Sequence, residues 1–100
     1  MTAGPDRGEQ RRLFDADQRA LRILYERHRE SVFAAALLVT QDPLAAGLIT
    51  RRAFTRLWQG REDLLPELAH RTSARRWLVA VAQADAEQQH DDAALRSPAR

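Results

Sequence analysis

The chain has 100 residues, enough for one small domain with a modest stability margin. No apolar run reaches eighteen residues and there is no cysteine, which excludes a membrane-spanning helix, disulfides and thiolate metal sites. All sixteen basic residues are arginine, fourteen of them in residues 1–80 against ten acids, while residues 81–100 hold two arginines and four acids. A basic body joined to an acidic end permits an anionic partner without requiring one. The N-terminal stretch MTAGPDRGEQRR has no apolar run behind its charges, so no secretory signal is expected and the cytoplasm is the expected compartment.

In chain order, residues 1–10 are polar and hold Gly4, Pro5 and Gly8, and a disordered lead-in is expected there. Residues 11–92 form the expected helical domain. From Gln10 to Thr40 there is no Gly or Pro, and Phe14, Leu21, Leu24, Tyr25, Val32, Ala36 and Val39 recur in steps of three, four and seven. That spacing predicts one bent helix, or two with a break near His28–Ser31. Asp42–Pro43 predicts a new helix start, because Asp can cap free N–H groups and Pro fits the first helical position. Its apolar stripe reads Leu44, Leu48, Ile49, Ala53, Phe54, Leu57 and Trp58, and Gly60 is expected to stop it. Residues 59–73 read as a polar loop around Pro66, with at most one helical turn. Thr72 or Ser73 is expected to cap a last helix with Ala74, Trp77, Leu78, Val81 and Ala82 on its apolar face, fraying by Asp92. Residues 93–100 read as a flexible tail. Nothing alternates with period two, so the fold class is all-α, a compact bundle of three to five helices.

His28, His70 and His90 share no helix face at metal-ligand spacing. No phosphate-binding glycine loop or nucleophile elbow is present. Asp15/Asp17 and Asp91/Asp92 read as solvated acids. The expectation is a protein without catalytic residues, metal or cofactor.

Charge placement is more informative. Arg52 and Arg56 lie four apart, with Arg51 beside them, and like charges at that spacing cost a helix roughly 0.2–0.5 kcal/mol per pair. Arg75 and Arg76 stand in the first turn of the last helix, where cations oppose the helix dipole. Asp85, Glu87, Asp91 and Asp92 oppose it from the other end. Two explanations are open: the arginines meet an anionic partner, or they pair inside the fold with Glu26, Glu30, Glu62 or Glu67, or sit in water. Trp58 and Trp77 could offer stacking platforms, but their places on apolar stripes favour the core.

The stretch LYERHRESVFAAALLVTQDPLAAGLITRRAFTRLW, residues 24–58, resembles the start of region 2 of sigma-70 factors of the extracytoplasmic-function group. ARRWLVAVAQADAEQQ, residues 74–89, resembles the helix that follows the variable loop in those bacterial proteins. The marks are Leu24–Tyr25, Asp42–Pro43, the block Ala53-Phe54-Thr55-Arg56-Leu57-Trp58, and Trp77–Leu78. The resemblance implies that the helix over 43–58 docks on the clamp helices of the RNA polymerase β′ subunit. It also implies that residues 59–90 open the promoter −10 element and hold its non-template strand. On that basis Arg51, Arg52, Thr55 and Arg56 are candidate partner-binding residues, and Arg71, Arg75 and Arg76 candidate nucleic-acid-binding residues.

The chain departs from this pattern on both surfaces. Family members carry acids where this chain reads Leu44, Ala45, Ala46, Gly47 and Leu48, and their Gln-Glu pair falls on Arg51 and Arg52. The last helix reads Ala80, Gln83 and Ala84 where the family is rich in Arg and Asn, and runs into Asp91 and Asp92. Like charge weakens docking on a basic helix, and acids repel phosphate. The second sigma domain has no counterpart, and the ending DDAALRSPAR resembles the linker that precedes it, as in a fragment of a longer factor. Two readings follow. One is a divergent sigma region 2-like protein acting in transcription through RNA polymerase core, promoter DNA, or a sigma or anti-sigma protein. The other is a repurposed helical interaction module, which could pair with itself, that touches neither polymerase nor DNA.

Overall fold

A computed structural model of the chain describes residues 6–70 and 73–96, which form four α-helices and no strand. The helices are α1 (Arg7–Thr40), α2 (Pro43–Gln59), α3 (Arg61–His70) and α4 (Ala74–Arg96). Residues 1–5 of the expected lead-in, Arg71, Thr72 and residues 97–100 lie outside the described residues.

Helix α1 begins at Arg7, before the expected start, because Asp6 caps it: the Glu9 N–H donates to Asp6 Oδ1 at 2.7 Å. It runs unbroken through His28–Ser31 to Thr40. No residue in that stretch disrupts a helix, and α1 packs along both α2 and α4. It ends at Gln41, whose φ of 55° is left-handed and whose N–H donates to the Leu37 carbonyl at 2.8 Å. A side chain is disfavoured in that conformation. Gln41→Gly is therefore expected to raise stability by about 0.5–1 kcal/mol, read as a higher Tm in a thermal melt.

Asp42 and Pro43 begin α2 as the sequence predicts, the Leu44 N–H donating to Asp42 Oδ1 at 3.0 Å. Gly60 ends α2, but its φ of −100° is open to any residue. A Cβ there would lie 2.8 Å from Leu64 Cδ1, so a larger residue would make the end of the Leu64 side chain shift. That leucine belongs to a helix the sequence reads as loop. Residues 61–70 are helical despite Pro66. The Asp63 and Leu64 N–H groups donate to the Gly60 carbonyl, Glu62 and Asp63 favour the first turn, and Leu64, Leu65 and Leu68 pack on the core. Tertiary packing thus outweighs the hydrogen bond that proline removes. Ser73 caps α4, its Oγ accepting from the Arg76 N–H at 3.5 Å. Helix α4 continues past Asp92 to Arg96.

The core lies where α1, α2 and α4 meet. Val32 and Ala36 come from α1, Ala46, Ile49, Ala53, Phe54 and Leu57 from α2, and Leu78, Ala82 and Ala86 from α4. Five of these ten are alanine, so small side chains make much of the contact at the core. The apolar stripe expected on α2 divides. Ile49, Ala53 and Leu57 are buried, whereas Leu44 is 81% and Leu48 55% exposed. At 100° per residue, a core side centred on Ala46, Ile49, Ala53 and Leu57 turns Leu44 and Leu48 outward.

Candidate functional site

The four predicted partner-binding residues, Arg51, Arg52, Thr55 and Arg56, share the exposed side of α2. Leu44, Leu48, Arg51 and Thr55 recur at helical spacing, all exposed. Arg52, Arg56 and Gln59 run beside them, and Leu48, Arg51, Thr55 and Arg56 border one shallow depression. Leu64 packs partly buried on the core and does not extend this exposed row.

The four polar residues do not stand alike. Arg52 Nη1 lies 3.2 and 3.3 Å from the two Asp85 carboxylate oxygens, joining α2 to α4. With its amide oriented to satisfy its neighbours, Gln89 also accepts from Arg52 Nη1 and Nη2 at 2.7 Å. The pair is half exposed, so its contribution is of the order of 0.5–1 kcal/mol. Asp85 stands at the middle of the observed α4, not at its end, and its charge is answered from α2. Thr55 Oγ1 donates to the Arg51 carbonyl at 2.9 Å, which spends its only donor inside the helix. Arg51 and Arg56 have no salt bridge among the described residues.

On its α1 side this face opens into a groove of about 1000 Å³. Its floor holds Leu21, Phe33, Thr50, Phe54 and Trp58, and Arg22, Arg29 and Arg51 stand on its rim. Tyr25 and Phe54 meet edge to face with centroids 4.9 Å apart. The Thr50 hydroxyl is satisfied by the Ala46 carbonyl at 2.8 Å. One end is closed by a cluster in which Phe14 meets Trp58 edge-on at 5.3 Å and the Arg61 guanidinium lies 4.0 Å over the Trp58 ring. Arg61 Nη1 donates to the Trp58 carbonyl at 3.0 Å, and its Nε approaches Asp17 at 3.5 Å as an ion pair without hydrogen-bond geometry. One face of Trp58 is therefore covered, and Trp77 packs on the core.

The predicted nucleic-acid residues lie elsewhere. Arg71 is outside the described residues. Arg75 and Arg76 are exposed in the first turn of α4, which holds no acid. Arg75 and Arg27 stand close enough to His28 to act on it: partial burial first, then these two cations, lower its pKa below the ordinary 6.5. An unfolded chain then takes up this proton more readily than the folded one. His28 therefore leaves stability intact above about pH 6.5 and reduces it as pH falls below that value. Melts of wild type and His28→Gln between neutral and mildly acid pH are expected to diverge, the variant losing less. Parallel curves would remove His28 as a cause.

Among the described residues no group of three or more acids and histidines is placed to hold a metal ion, and no helix is long and apolar enough to cross a membrane. Compared with known protein families, curated proteins and solved structures, the chain finds no match. The groove and the Arg52–Asp85 pair are what sequence reasoning missed. Tyr25 and Phe54 read as core from their spacing, and nothing local links Arg52 to a residue 33 positions away.

Proposed function

We propose that this domain is a divergent sigma region 2-like protein that acts in transcription initiation or its regulation, with the outer side of α2 as its protein-docking surface. The observation that carries this reading is the uncovered pair Leu44 and Leu48 beside Arg51 and Thr55, on the helix that the resemblance assigns to polymerase docking. Apolar side chains rimmed by charge are the usual make-up of a protein-binding patch. The arginines favour an acidic partner surface over a basic clamp helix: an acidic region of polymerase, or a sigma or anti-sigma protein. At the start of α4, Arg75 and Arg76 are exposed in a turn without acids and suit an anionic partner, which supports contact with promoter DNA as a secondary feature. The setting is then bacterial and cytoplasmic.

The test is co-elution with bacterial core RNA polymerase on a sizing column, at low and moderate salt. Co-elution at moderate salt, lost in Leu44→Glu/Leu48→Glu, is the expected result. Elution alone at both salts removes polymerase as a direct partner. The charge on α2 favours one further reading, an interaction module on the same scaffold that binds neither polymerase nor DNA. It predicts a stable complex with another protein, or with itself, that the same double substitution dissolves.

A further inference from the structure

We infer that the groove between α1 and α2 is a docking site for an amphipathic helix of a partner protein that carries carboxylates beside its apolar stripe. This rests on the reading of the domain as protein-binding, and adds a second site with its own chemistry. The groove follows α2 from Gly47 to Trp58, about 17 Å at helical rise, which matches three turns of a bound helix. Its floor offers apolar side chains for anchors spaced three and four apart.

The rim supplies the charge. Arg22, Arg29 and Arg51 border the groove against one carboxylate, Glu30, and none of the three has a salt bridge among the described residues. An incoming helix with acids on its flanks gains these contacts, and a basic one is repelled. Gly47 is the second, independent observation. It sits inside α2, where glycine is the least favourable residue after proline, and a Cβ there would meet nothing within 4 Å. No packing within the chain requires that glycine, and its missing side chain leaves the end of the groove open to a visiting helix, with room for a methyl group but not for an indole.

The aromatic residues favour a helix over single-stranded nucleic acid. Stacking needs open ring faces, and these are reduced: Tyr25 and Phe54 meet edge to face, Arg29 lies over Tyr25 and Arg61 covers one face of Trp58.

The test uses the full chain against a displayed library of helical peptides of about fourteen residues. Leucine is fixed at anchor spacing and the flanks vary among Glu, Ala and Arg. Glu is expected to be enriched. The selected peptide is expected to lose affinity at least about tenfold against Gly47→Trp, and again against Arg22→Glu/Arg29→Glu, while Gly47→Ala still binds. The second variant alters only exposed α1 residues, so it decides the matter even where the tryptophan disturbs folding. No enrichment, enrichment of Arg, or binding indifferent to both variants overturns the proposal. So does a dimer dissolved by Gly47→Trp, which makes a second copy the occupant, or a dT oligonucleotide that binds in a Gly47→Trp-sensitive way. Failure to co-elute with polymerase leaves this result untouched, because neither the probe nor the variants involve Leu44 and Leu48.

Discussion

Leu57→Ala is expected to cost about 2–5 kcal/mol of stability, among the largest effects of any single truncation in this chain. Leu57 is fully buried on α2, within a cluster that includes Ile49, Val32 and Leu78, all without exposed surface. Removing three carbons forfeits their transfer free energy and leaves a cavity. Its alanine-rich surroundings hold few long side chains that could fall in to fill it. A domain of this size has only about 5–15 kcal/mol in all. The Tm is expected to fall by more than about 10 °C in a thermal melt. Leu44→Ala is the matched control. It lies on the same helix, on the same apolar stripe by sequence, yet is 81% exposed, so its effect is expected to stay within about 0.5 kcal/mol. Equal losses at the two positions would mean that α2 is turned differently from the arrangement described.

Arg51→Glu/Arg56→Glu is expected to leave the Tm nearly unchanged and to weaken partner binding by about a hundredfold or more. Neither arginine has a salt bridge among the described residues, so reversal costs the fold little. Each new carboxylate faces the acidic surface that the arginines are proposed to meet, and like charges brought together at an interface cost several kcal/mol. Arg52→Glu behaves differently. It breaks the bridge to α4 and sets a carboxylate beside Asp85, so stability is expected to fall by about 1 kcal/mol. Arg52→Glu/Asp85→Arg restores the opposite charges and is expected to recover most of that loss, a coupling that a double-mutant cycle measures. The decisive measurements are melts of all three variants and binding by the first. A lower Tm for Arg51→Glu/Arg56→Glu than for Arg52→Glu would reverse these assignments.

These two experiments mark how far local reasoning reaches. Asp42–Pro43 and Ser73 act on N–H groups two or three residues away, so their roles are legible from spacing alone. The all-α class is legible for the same reason, since apolar steps of three and four repeat along each long segment. Pro66 misleads because its local cost is real, and only the burial of Leu64, Leu65 and Leu68 against other helices outweighs it. Leu44 and Leu48 mislead because the apolar residues of α2 wrap around the helix: these two point away from Ile49, Ala53 and Leu57, and only the placement of α1 and α4 decides which side is covered.

By itself the sequence determined the helical class, the turn between α1 and α2, the start of α4 and the clustering of arginines on α2. Each follows from contacts within a few residues or from the order of motifs along the chain. Only the tertiary structure decided that Arg52 is held by Asp85, that Leu44 and Leu48 stay uncovered, and that α1 and α2 leave a groove over Gly47. The physical reason is that pairing, exposure and concavity belong to how helices are placed side by side. Alanines make half of the core cluster, while larger side chains of α1 and α2, among them Leu21, Tyr25, Phe33, Phe54 and Trp58, line the groove.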